Sequence, residues 1–266
     1  MSTLGDRNAQ PLFQGVPLEK SAQRPYVYET LDCKSLCFSV MSTQSSMRLD
    51  DPVALVLEYT ELMMGFILFD PSPSDMTVIG LGGGSISKYC YNNLPETNQT
   101  VVEIDPDVIA LRQSFHVPND NHRFRVIRGN GAQYVSNRTE SIRLLMADGF
   151  DEDGIPEDLS DIKFYRSCHD ALTWGGHAVF NLHLGRTYAK TLTKILDAFA
   201  GNITAVPERE GSNVVVFARK GHPLKAVDPT TLGRPGNFAV NHWNALQSTL
   251  TYVHRVANEK KASATI

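Results

Sequence analysis

Val78-Ile79-Gly80-Leu81-Gly82-Gly83-Gly84-Ser85 is the stretch on which the fold turns. A short apolar run, Thr77–Gly80, ends in four glycines within five positions, and a helical stretch near 86–93 follows at once. Missing side chains let the backbone turn tightly and approach a ligand, while the N-terminus of the next helix offers unpaired N–H groups. A glycine turn made for packing alone reads the same way, so the flanking sequence has to decide between them.

Outward from this turn, short apolar runs recur at Thr100–Ile104, Arg123–Ile127, Ile142–Ala147, His177–Leu182 and Val214–Ala218. Helical stretches near 106–114, 131–136, 161–172 and 187–200 lie between them. Strands alternating with helices predict an α/β fold, a mostly parallel Rossmann-like sheet covered on both faces. Upstream, Tyr26-Val-Tyr-Glu-Thr and Leu36-Cys-Phe-Ser-Val read as short antiparallel strands. Asp51 and Pro52 have the chemistry of an N-cap and first turn, which predicts a helix from there to just before Pro71. The expected division is an N-terminal arm and small β domain over 1–50, an α/β domain over 51–220, and a tail over 221–266 with a helix from about Ala239 to Ala257.

The chain has 266 residues, 42% hydrophobic and 20% charged, which is the composition of a globular protein with a sizeable core. Its net charge of −4 argues against nucleic acid or an anionic membrane as the main partner. The longest apolar run, Leu62 to Phe69, falls well short of the ~20 residues that span a bilayer. The opening MSTLGDRNAQPLFQG lacks the apolar core of a signal peptide, so a cytoplasmic location is expected. Cys33, Cys37, Cys90 and Cys168 form no CxxC pair and read as reduced thiols. The eight histidines show no HxxxH or HExxH spacing, so no metal is expected.

The second strand reads Val101-Val102-Glu103-Ile104-Asp105 and sets Glu103 about 20 positions past the glycine turn, where an acid would hold a ribose hydroxyl pair. A merely structural role, capping the helix that starts at Pro106, suits Asp105 better. The third strand ends Arg128-Gly129-Asn130-Gly131, a small turn with one amide beside a possible adenine edge. The fourth ends Ala147-Asp148-Gly149-Phe150-Asp151, with two carboxylates on the ligand side of the sheet. Asn181 and His183, at the end of the next strand, face the same edge, whereas Trp174 before Gly175-Gly176 reads as packing. Spacing alone leaves nicotinamide dinucleotides and adenosyl sulfonium compounds both open.

The runs VIGLGGGSISK, VVEIDPDVI, GNGAQYV, LLMADGFDEDGIP and FYRSCHDALTWGGHAVFNL together resemble the polyamine aminopropyltransferases, the spermidine and spermine synthases and their bacterial relatives. The resemblance covers roughly residues 26–220. It implies a small N-terminal β domain before a methyltransferase-like Rossmann domain, decarboxylated S-adenosylmethionine as co-substrate, a small amine such as putrescine as acceptor, and a homodimer or homotetramer. It implies that Gln44 and the turn at Gly80, Gly82, Gly83 and Gly84 approach the nucleoside, that Glu103 binds the ribose, and that Asn130-Gly131 meets the adenine. Tyr59 then borders the amine, Asp148 is the catalytic aspartate, and Asp151 is the second acid of an Asp-x-x-Asp loop. Family members typically read Gly-Gly-Gly-Asp at the first turn, with that aspartate helping to hold the amine; this chain has Ser85 there.

The chemistry explains why acids would be wanted. An amine displaces a thioether from a sulfonium-bound carbon, so the protein mainly positions and deprotonates the nucleophile. Free alkylamines are protonated at neutral pH, their reference pKa being about 10. A lip holding Asp148, Asp151, Glu152, Asp153, Glu157, Asp158 and Asp161 would attract a polycation, although the last five serve equally well as a solvated loop. Methyl transfer from S-adenosylmethionine, encouraged by Ser85, and a non-catalytic nucleoside-binding module are the competing expectations.

Overall fold

A computed structural model of the protein describes residues 24–39, 42–149 and 155–263. Three strands, β1 (Tyr26–Glu29), β2 (Cys33–Ser39) and β3 (Ser42–Arg48), form an antiparallel sheet in that order. The chain then passes through α1 (Glu58–Met63) and a 3₁₀ turn at Met64–Leu68. Next come β4 (Asp75–Ile79), α2 (Ser85–Asn93), β5 (Asn98–Glu103), α3 (Pro106–Ala110), β6 (Phe124–Arg128) and α4 (Gly131–Ser136). After β7 (Ile142–Ala147) follow α5 (Glu157–Ser160), α6 (Ile162–Ala171), β8 (Leu172–His183), α7 (Tyr188–Ala198), β9 (Ile203–Pro207), β10 (Asn213–Arg219) and α8 (Val240–Ser263).

The larger sheet has seven strands in the order β6-β5-β4-β7-β8-β10-β9. Pairs from β6 to β8 are parallel, whereas β10 runs antiparallel to both β8 and β9. The chain builds outward from β4 to β6, then returns to lay β7 against the other side of β4. That reversal opens a crevice beyond the carboxyl ends of β4 and β7, where α/β sheets bind ligands.

Strand side chains point alternately to two faces, and both are covered. Val78, Val101, Leu144, Met146, Val215 and Phe217 share one core with α1, α2 and α8. Leu145, Ala147, Phe180, Val214 and Val216 share the other with α6 and α7. In α8, the fully buried Leu250 and Val253 lie on the first face. Tyr89 on α2 donates its hydroxyl to the His242 carbonyl at 3.1 Å, and Thr249 donates to Glu61 at 3.0 Å.

The expected helix from Asp51 begins instead at Glu58. Asp51 opens a four-residue turn, its carbonyl accepting the Ala54 N–H at 3.1 Å, and its carboxylate reaches His242 at 3.1 Å. Asp51 Oδ1 also accepts the Ala54 N–H at 3.2 Å, so the residue caps this turn as its chemistry predicts, but the turn is not continued into a helix before Glu58. Beyond α1 the segment tightens to 3₁₀ where Gly65 presses on Phe217 and Val253; a Cβ there would meet the Phe217 ring at 2.9 Å. The stretch expected as a helix over 106–114 is regular only to Ala110. β9 was not anticipated: it is five residues long, ends at Pro207 and occupies the sheet edge, where proline is tolerated. Trp174, read as packing, is 64% exposed but stacks edge-on to His222. Among the described residues no helix is long and apolar enough to cross a membrane, and the four cysteines are free.

Candidate active site

The crevice at the chain reversal is a cavity of about 940 Å³. β4 delivers the backbone into it. Gly80 has φ +95°, and a Cβ there would stand 2.3 Å from the Asp148 carbonyl oxygen, so only glycine lets the ends of β4 and β7 approach this closely. The approach is secured by two backbone bonds, Gly80 N–H to the Val102 carbonyl and Asp148 N–H to the Ile79 carbonyl, both 2.9 Å.

Of the four glycines in the turn, Gly80 and Gly82 line the cavity. Gly83 gives its N–H to the Ser45 hydroxyl at 2.9 Å, and Gly84, at φ +69°, turns the chain into α2 against Val117. These two hold the turn from behind. Ser45 was not anticipated; it clamps β3 of the small sheet onto the glycine turn, a contact 38 residues apart in sequence. Gln44 beside it and Ser85 at the start of α2 also line the cavity.

Glu103 closes one side. It is 8% exposed, and its two carboxylate oxygens accept the Leu81 and Asp105 N–H groups, each at 2.8 Å. Burial raises its pKa, while those amide donors oppose the shift. A carboxylate offers about four acceptor positions, so capacity remains for two hydroxyls. Asp105, as expected, caps α3 by accepting the Asp107 N–H at 2.8 Å. Asn130 caps α4, its Oδ1 accepting the Gln133 N–H at 3.0 Å, and its amide donates to Asp158. Asn130 and Gly131 both line the cavity.

Asp148 follows β7 and is half-buried. Desolvation pushes its carboxyl up to about 6, against hydrogen bonds from Asn181 and Tyr59 that favour the charged form. Asn181 on β8 donates to Asp148 Oδ1 at 2.8 Å. The Tyr59 hydroxyl, on α1, also lies 3.4 Å from the Gln44 carbonyl, which competes with Asp148 for its single proton. Burial and the neighbouring Asp148 hold the Tyr59 phenol well above its ordinary value. The cavity thus brings together Gln44, Tyr59, Gly80, Gly82, Glu103, Asn130, Gly131 and Asp148. Asp151 lies outside the described residues.

Two acids that sequence reasoning missed join the wall, Glu58 on α1 and Glu208 after β9. Among the described lining residues there is no Lys or Arg, against five acids: Glu58, Glu103, Asp148, Asp158 and Glu208. Arg209 neutralises Glu58 at 3.2 Å. Among the described residues no group of three or more His, Cys, Asp or Glu is placed to hold a metal.

Sheet order, glycine turn and a cavity at the chain reversal define a Rossmann-like α/β protein. The family model described as Spermine/spermidine synthase domain matches residues 56–221. The chain is 36% identical to the polyamine aminopropyltransferase of Neisseria meningitidis serogroup A over 200 residues, 74% of this chain and 76% of that protein. Among solved structures, a probable spermidine synthase from Corynebacterium glutamicum matches with a TM-score of 0.64 at 21% identity, covering 73% of this chain and 76% of that one. A spermidine synthase in complex with the transition state analogue AdoDATO matches at 0.57 and 19% identity, covering 85% of this chain and 88% of that one. The chain belongs to the spermine/spermidine synthase family, and it is a transferase.

Proposed function

We propose that the protein transfers an aminopropyl group from decarboxylated S-adenosylmethionine to a small di- or polyamine such as putrescine. The observation that carries this reading is the acid-lined, Lys- and Arg-free cavity wall around Asp148. Both reactants are cations, and a wall of carboxylates concentrates them. A donor that kept its α-carboxylate would add a like charge to that wall, which weighs against methyl transfer from S-adenosylmethionine.

Gly80, Gly82 and Gln44 border the adenosine moiety, with Gly83 and Gly84 holding the turn. Glu103 takes the ribose hydroxyls, and Asn130 and Gly131 meet the base. The attacking nitrogen forms a bond to the propyl carbon while the carbon–sulfur bond breaks, its electron pair returning to sulfur to leave neutral methylthioadenosine. Asp148, ionised above about pH 6, orients the ammonium and accepts its proton. Tyr59 supports the carboxylate and offers its ring face to the cation. Asp151 is the second amine-orienting acid. The family match over 56–221 supports a catalytic domain over 51–220, and the motif resemblance supports a homodimer or homotetramer.

Incubation with decarboxylated S-adenosylmethionine and putrescine, read by product mass, tests the reading. It is expected to yield spermidine and methylthioadenosine. A methylated product from S-adenosylmethionine, or no aminopropylated amine with any acceptor, overturns it.

A further inference from the structure

Four side chains from adjacent strands line up along the carboxyl edge of the sheet in sheet order: Asp148 after β7, Asn181 on β8, Asn213 on β10 and Glu208 after β9. They are joined end to end. Asn181 Nδ2 donates to Asp148 Oδ1 at 2.8 Å, Asn213 Nδ2 donates to Asn181 Oδ1 at 3.0 Å, and the Asn213 backbone N–H donates to Glu208 Oε2 at 2.9 Å. The two asparagines thus tie a carboxylate at each end of one relay, and all four residues line the cavity.

Glu208 is half-buried and, among the described residues, has no salt-bridge partner. Its neighbour Arg209 is turned away, paired with Glu58 and lying over the Tyr252 ring at 4.8 Å. The carboxylate is folded over Gly211, where a Cβ would fall 1.8 Å from Oε2, so the glycine is what permits this pose. Tyr59 stands within electrostatic reach of both acids. A cavity with one acid placed for proton transfer and a second, preorganised and uncompensated, is complementary to a molecule with two cationic ends.

We infer that Glu208 binds the distal ammonium of the acceptor and thereby selects diamines and polyamines over monoamines. This deepens the aminopropyl-transfer reading above and rests on it. Asp148 handles the reacting amine; Glu208 is a specificity residue that takes no part in bond exchange.

The test compares kcat/KM for 1,4-diaminobutane with that for 1-aminobutane, which lacks the second ammonium, at fixed decarboxylated donor. The parent is expected to favour the diamine by about tenfold or more, and Glu208→Gln to collapse that ratio toward one through KM, with kcat for the diamine largely kept. Glu208→Asp keeps the charge but withdraws it by one methylene, and should move the preferred acceptor toward 1,5-diaminopentane. A merely structural role would not shift chain-length preference. The inference is overturned if the parent does not discriminate, if Glu208→Gln leaves the ratio intact, or if Glu208→Asp weakens all acceptors alike. Absence of product from the parent with every amine would instead refute the aminopropyl-transfer reading itself.

Discussion

Replacing Asp148 by Asn is expected to stabilise the folded protein at neutral and alkaline pH while abolishing turnover. Burial raises the Asp148 carboxyl from 3.8 to about 6, so the native state holds its proton more tightly than the unfolded chain does. A group of this kind contributes stability below its unfolded pKa, and that contribution is lost as pH rises through the folded value. At about 1.4 kcal/mol per pH unit, the two-unit difference amounts to at most about 3 kcal/mol of native-state destabilisation once the carboxylate is ionised. An asparagine carries no charge to desolvate, and its oxygen can still accept the Asn181 N–H. The variant should therefore gain up to about 3 kcal/mol over the parent near pH 8, and the gain should vanish as pH falls toward about 4. For a chain of this size that is a rise in melting temperature of roughly 5 to 10 °C. Urea unfolding of both proteins at the two pH values reads the effect directly. A pH-independent difference, or a loss of stability near pH 8, would show that Asp148 does not carry a strained, desolvated charge.

Glu103→Gln replaces an oxygen that accepts a backbone N–H with an amide that cannot. It should cost about 1–3 kcal/mol of stability and weaken methylthioadenosine binding measurably by calorimetry. Unchanged affinity would remove Glu103 from the nucleoside site. Gly80→Ala forces a Cβ onto the Asp148 backbone at positive φ; a loss of about 2 kcal/mol or more in denaturant unfolding is expected, together with weaker nucleoside binding. In α8, Leu250→Ala opens the fully buried contact with the sheet, with an expected loss of about 2–5 kcal/mol. A loss below about 1 kcal/mol, under the range for truncating a buried leucine, would mean that α8 packs only loosely.

The parts of the site that could be read from residue order are those made by local backbone chemistry. β4 with its glycine turn, Glu103 at the end of β5, the Asp105 cap and Asp148 at the end of β7 each lie within a few residues of the feature that betrays them. In a parallel α/β layer, the carboxyl end of every strand faces the same crevice, so strand order along the chain already converges these groups. Other features had no local signature. Asp51 has the residue chemistry of a helix cap and does take the Ala54 N–H, yet only a turn follows it, and its other oxygen meets His242, 191 positions away. Ser45 meets Gly83 across 38 positions, and Asn213 meets Asn181 across 32. β9 is a short proline-ended edge whose strand character comes from pairing with β10, and Glu208 enters the cavity only because that antiparallel pair brings the turn to the ligand edge. Turn geometry and strand periodicity are set by neighbouring residues, whereas which amide meets which carboxylate depends on sheet order and chain reversal, and those arise from burial of whole faces.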